Sequence, residues 1–222
     1  PLPAVAQDRE RLVVLLDWFV NPDHVPLVVA RERGYFAEEG LAVELVPPAD
    51  PSAPPRLVAT GQADVAISYQ PNLYQQVAKG LPIARIGTLV ATPLNSLVTL
   101  ADGAVQSIPD LKGRVVGYSV GGFEDALLGT MLEAHGLTLD DVSLVNVNFA
   151  LTPALLSQRV SAVIGAFRNF ELNQIALEGR EGRAFYPEEH GVPVYDELIF
   201  IARQEDVERE ALEGFLRAVE RA

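Results

Sequence analysis

Short apolar runs alternate with helical patterns along this chain, and that rhythm restricts the fold more than any other feature. Segments 11–16, 41–46, 64–68, 83–90, 97–100, 115–118, 142–147, 162–166 and 197–202 have the length and β-branched content of strands. Between them, 25–33, 54–60, 71–79, 123–135, 153–158 and 170–178 carry helical periodicity, and 212–222 reads as an amphipathic helix that stops without a cap. Pro54, Pro55 and Pro153 sit at first-turn positions, where a missing N–H costs nothing. Gly34, Gly61 and Gly136 fall where helices end. Strand–helix–strand alternation builds a mostly parallel sheet, so the expectation is an α/β protein of one or two lobes.

Polar and aromatic groups collect where these strands give way to helices, the edge at which open α/β sheets take ligands. After the first strand come Asp17, Trp18, Asn21 and His24, which supply a carboxylate, a flat ring, an amide and an imidazole. A lone histidine at a helix start is equally a cap or a buried hydrogen-bonded group. Ser68 and Tyr69 follow the third strand, and Tyr69 could stack on a ring with its hydroxyl wet or stand as a plain surface aromatic. Ser119, Gly121, Gly122 and Phe123 open a helix, and free N–H groups beside glycines suit an anion or a carbonyl oxygen. A tight turn would explain the same residues. Phe167, Asn169 and Glu171 follow a later strand, where Glu171 could also be a first-turn residue favoured by the helix dipole. Tyr195 is a further aromatic candidate.

Composition removes several classes of function. A formal charge of −13 opposes nucleic acid and anionic membrane surfaces. No apolar run is long enough to cross a membrane, so no direct insertion is expected. Without cysteine in this sequence, no disulfide, thiolate metal site, cysteine nucleophile or lipidated N-terminal Cys is expected. No His, Asp and Glu have metal-ligand spacing, no Ser/His/Asp arrangement is suggested, and no cofactor is expected. The triplet Ala4-Val5-Ala6 would suit the end of a secretory signal, and equally is a common triplet in an alanine-rich chain.

The order Asp17-Trp18-x-x-Asn21-x-x-His24, then Gly34-Tyr35-Phe36-x-x-x-Gly40-Leu41, resembles the opening of the NMT1/THI5-like family of solute-binding proteins. The segment 61–66 and the order Gly165-x-Phe167-x-Asn169-x-Glu171 resemble further elements of that family. The resemblance implies the type 2 periplasmic-binding-protein fold, with two α/β lobes joined by a two-strand hinge. Crossings near 91–95 and 194–196 would then give one lobe of 1–92 plus 197–222 and a second of 93–196. Family members usually run further in helix at the C-terminal end. The implied function is the receptor of an ABC importer, exported to the periplasm, that hands a small solute to a membrane permease.

The leading solute is a thiamin pyrimidine precursor of the formylaminopyrimidine or hydroxymethylpyrimidine type. Its ring nitrogen and exocyclic amine form an amidine-like edge, and once the ring is protonated Glu171 can accept two parallel charge-assisted hydrogen bonds from it. Riboflavin, an alkanesulfonate or a small carboxylate are alternatives, as is a cytosolic ligand-sensing domain of the same fold. The family also holds pyrimidine synthases, which use a lysine on pyridoxal phosphate, a nearby histidine and a cysteine-rich iron motif. Here those positions read Ser68 and Asn72, and cysteine is absent. A Schiff base needs an amine, so an enzyme is not expected.

Overall fold

The structure is a computed structural model that describes residues 9–222; the Ala4–Ala6 triplet lies outside the described residues. The strands form two five-stranded sheets. In the first, β1 (Glu10–Leu15) pairs in parallel with β2 (Leu41–Val46) and β3 (Val65–Ser68). The sheet continues through β4 (Ile83–Val90) and the late strand β10 (Leu198–Arg203), giving the order β2-β1-β3-β10-β4 with β10 antiparallel to both neighbours. The second sheet holds β5 (Asn95–Leu100), β6 (Val115–Tyr118), β7 (Ser143–Asn146), β8 (Ala162–Phe167) and β9 (Gly182–Phe185). Its order, β7-β6-β8-β5-β9, repeats the first pattern, with β5 antiparallel to β8 and β9.

The chain therefore passes between sheets twice, from β4 into β5 and from β9 into β10. Sequence reading overlooked β9. Its four residues include a glycine, none is buried, and it pairs only as an edge, so no apolar period marks it.

Helices cover the sheets where the periodicity indicated: α1 (Val25–Glu32), α3 (Pro54–Ala59), α4 (Gln70–Ala78), α5 (Glu124–Glu133), α6 (Leu151–Leu156) and α7 (Glu171–Leu177). The Gly34-Tyr35-Phe36 segment adds a one-turn helix, α2 (Tyr35–Glu38), whose preceding glycine adopts φ +77°. That short turn aims Phe36 inward, where it stacks on Phe215 at 5.5 Å. Phe215 belongs to α8 (Glu210–Glu220), which buries Ala211, Leu212, Phe215 and Ala218 along one face against the first sheet's layer. Arg209 at its start bonds Asp64 and Glu10, and Arg217 bonds Glu39 at 2.8 Å. The acidic run 205–213 is divided: Gln204–Asp206 make a 3-10 turn, and the helix begins at Glu210.

Candidate functional site

The polar cluster after β1 folds upon itself. Asn21 caps the 3-10 turn Pro22–His24, its Oδ1 accepting from the Asp23 N–H at 2.8 Å. The Asn21 N–H donates to His24 Nδ1 at 3.2 Å. A ring nitrogen that accepts carries no hydrogen, so Nε2 bears it and donates to Asp17 Oδ1 at 2.8 Å. The Tyr69 hydroxyl donates to the other oxygen, Oδ2, at 3.1 Å. His24 is wholly buried behind Asp17 and orients that carboxylate without reaching the cavity. Burial beside Asp17, Glu124 and Glu197 holds the Tyr69 phenol well above its ordinary range.

Between the two sheets lies a cavity of about 10 Å³, room for roughly one water. Asp17, Trp18, Asn21 and Tyr69 line it from the carboxyl ends of β1 and β3. Glu124, Gly165, Phe167, Phe170 and Glu171 line it from the second sheet and its helices. Trp18 reaches across: its ring meets Phe149 edge-on at 4.7 Å and packs with Val98 and Leu151, while its buried Nε1 has no hydrogen-bond partner. Tyr69 likewise stacks on Phe123 at 4.9 Å. No Lys or Arg is among the lining residues.

Two acids on the far wall are held neutral near pH 7. Glu171 accepts from the Phe167 N–H at 2.6 Å, but burial, with Asp23 and Asp17 adding repulsion, pushes its carboxyl up to about 8. Burial pushes Glu124 up to about 8 as well, although N–H groups of the loop before it offset part of that cost.

The structure places several expected ligand contacts away from the cavity wall. The Ser119 N–H at the start of the 119–122 loop is not open to a guest, because Glu124 Oε2 takes it at 2.6 Å. The Ser119 hydroxyl donates to the Asn148 carbonyl. Gly121 packs near the Tyr118 ring, and Gly122, at φ +86°, accepts from Gln75 Nε2 at 2.6 Å, a bond between the two halves. Phe123 is covered by Tyr69. Asn169 donates to Asp23 Oδ1 at 2.5 Å, again across the halves. Ser68 is buried beside Asn72, and the Tyr195 hydroxyl donates to Glu197 Oε2 at 3.0 Å.

Sequence reasoning missed Glu124, Gly165 and Phe170 on the wall, and Glu197 behind it. Glu124 had a signal: an acid just after Gly-Gly-Phe, one residue into a helix, can reach back to the preceding loop as capping acids do. Glu197 had none. Fully buried, its Oε2 accepts from the Leu94 and Asn95 N–H groups at 2.7 and 2.8 Å as well as from Tyr195, so one carboxylate ties both crossings together. Burial pushes it up to about 7.

Two sheets of the same strand order, two crossings and a cavity at facing strand ends define a type 2 periplasmic-binding-protein fold. The alkanesulfonate-binding protein SsuA of Xanthomonas axonopodis pv. citri, solved with MOPS, superimposes with a TM-score of 0.76 at 15% identity, covering 96% of this chain and 72% of that one. Residues 21–222 match the NMT1/THI5-like family, and the chain belongs to it. A Haemophilus influenzae protein named for thiamine biosynthesis is 55% identical over 221 residues, 100% of this chain and 70% of its own length. The formylaminopyrimidine-binding protein of Halalkalibacterium halodurans is 40% identical over 211 residues, 94% of this chain and 64% of the relative. The 4-amino-5-hydroxymethyl-2-methylpyrimidine phosphate synthase of Legionella pneumophila is 28% identical over 221 residues, 98% of this chain and 70% of the synthase.

Proposed function

We propose that this chain is the solute-binding receptor of an ABC importer and that it takes an aminopyrimidine of the formylaminopyrimidine or hydroxymethylpyrimidine type. The observation that carries this reading is the wall of the cavity: Asp17, Glu124 and Glu171 with Trp18, Tyr69, Phe167 and Phe170, and no basic side chain. A flat ring with an amidine edge satisfies both sets at once, since the rings cover its faces and an acid accepts its paired N–H groups. An alkanesulfonate or carboxylate would find no basic partner on the wall. The name of the Halalkalibacterium relative supports the same class of guest.

The ligand-binding assignment keeps Asp17, Trp18, Asn21, Tyr69, Phe167 and Glu171 and adds Glu124, Gly165 and Phe170. We assign the lobes to 1–92 with 197–222 and to 93–196, joined at the crossings that Glu197 straps. A pyrimidine is far larger than the cavity, so the lobes part to admit it and close upon it, and the closed form docks on a permease. We assign the protein to the periplasm, where such a receptor works. Synthase chemistry is disfavoured because Ser68 and Asn72 stand where the lysine and histidine would be needed.

The test is calorimetry and thermal shift with aminopyrimidines, riboflavin, alkanesulfonates and small carboxylates. A ligand at a hundred times its dissociation constant adds about 2.7 kcal/mol of stability. Trp18→Ala and Glu171→Ala should each weaken pyrimidine binding by about 1–3 kcal/mol. Stabilisation by a sulfonate and by no pyrimidine, or unchanged affinity in both variants, overturns the assignment.

A further inference from the structure

The amidine-edge argument leaves Asp17 and Glu124 unused on the cavity wall; Asp17 is engaged by His24 and Tyr69, whereas the backbone around Glu124 is shaped to present it. The pairing of β5 with β8 runs Ser96 to Ala166 and then Leu97 to Ile164, which leaves Gly165 as the unpaired residue of a bulge. Gly165 sits at φ +102°, a conformation that L side chains rarely adopt, and a Cβ there would stand 2.6 Å from Glu124 Oε2. Its N–H, turned from the ladder, donates to Asn95 Oδ1 at 3.1 Å. On the other side the Ser119 N–H holds Oε2 at 2.6 Å. A bulge, a left-handed glycine and a spent loop amide thus converge on seating one buried carboxyl at the cavity.

An acid this buried, with no basic group among the lining residues, keeps its hydrogen and so can donate as well as accept. We propose that Glu124 is the specificity-determining residue for the ligand's side arm, donating its carboxyl hydrogen to an oxygen there while Glu171 takes the amidine edge. This deepens the aminopyrimidine reading above and rests on it. The Ser119 N–H, which could otherwise serve that oxygen, is occupied by Glu124 itself, so at this point the arm meets the acid.

The experiment compares 4-amino-5-hydroxymethyl-2-methylpyrimidine with 4-amino-2,5-dimethylpyrimidine, which keeps the ring edge and lacks the oxygen. By calorimetry the wild-type protein should prefer the hydroxymethyl compound by about tenfold, the value of one buried hydrogen bond. In Glu124→Ala that preference should vanish, the hydroxymethyl compound losing about tenfold more affinity than the dimethyl compound. Glu124→Gln, which retains an N–H donor at nearly the same volume, should keep most of it. A wild-type protein that binds both compounds equally overturns the proposal without need of any variant. So does a Glu124→Ala protein that loses both compounds alike, or neither. Failure of wild type to bind any aminopyrimidine removes the underlying receptor assignment, and this proposal with it.

Discussion

Raising the pH from 5 to 8 should destabilise this protein, and Glu171→Gln should flatten the decline. Glu171 titrates near 8 in the folded chain, raised by burial and then by Asp23 and Asp17, against an ordinary value of 4.5. Between those limits the native state holds a proton that the unfolded state has released. Stability therefore falls as pH rises: the contribution is complete below the unfolded value and is lost on the way up to the folded one. One such group gives a slope of about 1.4 kcal/mol per pH unit.

Replacing Glu171 by Gln removes that slope while leaving an amide oxygen for the Phe167 N–H now bonded at 2.6 Å. Urea unfolding at pH 5, 6, 7 and 8 should thus show a variant whose stability declines less steeply than wild type by about 1.4 kcal/mol per unit, most clearly from 5 to 7.5. Glu124 and Glu197 add slope of the same sign. His190, lowered by burial and by His135, adds the opposite sign around its ordinary value, and the comparison with the variant cancels all three. Exposed acids such as Asp102, Asp110 and Asp141 are shifted downward and act below this window. Parallel slopes in the two proteins, or a wild type that gains stability from pH 5 to 8, would refute the buried-neutral assignment.

Asn169→Ala deletes the 2.5 Å bond to Asp23 between the two halves. One hydrogen bond is worth about 0.5–1.5 kcal/mol, so ligand affinity should fall about two- to tenfold, with scattering profiles shifted toward an extended form; unaltered affinity would deny it a clasp role. Glu197→Ala strands the Leu94 and Asn95 N–H groups and the Tyr195 hydroxyl, and should cost about 3 kcal/mol or more in chemical unfolding; a loss below about 1 kcal/mol would show that the crossings hold without it.

The sheet was legible because its signals are local. β2, β4 and β6 fall on the runs read from the sequence, since a buried strand flanked by turn residues announces both ends. β9 and α2 escaped for the opposite reason: β9 buries none of its residues and α2 is a single turn with one buried residue, so neither carries an apolar period. At the site, Asp17, Trp18, Tyr69 and Glu171 were readable because strand ends in such folds face the ligand crevice. For His24 and the Ser119–Gly122 loop the sequence left a ligand contact and a structural role both open, and only the folded structure shows what the chain itself consumes. His24 spends both nitrogens on Asn21 and Asp17, and the loop spends an N–H on Glu124. Glu197 acts through partners about a hundred residues away, a relation no local window contains.

The charge of the cavity wall also bears on how closure is driven. Asp17 comes from the first sheet's side, Glu124 and Glu171 from the second's, so bringing the halves together brings acids together. The repulsion is visible in Glu171, which Asp17 and Asp23 help to keep protonated. A guest with a cationic edge reverses that term: placed between the acids it attracts both walls, and the attraction is largest when the halves are shut. An anionic guest, such as the sulfonate class bound by a receptor of the same fold, would find no cation on either wall and gain no such attraction. On the proposed reading, the same two-sheet frame would select for charge through closure itself, because the state that buries the ligand would be the state in which acids from both halves face it.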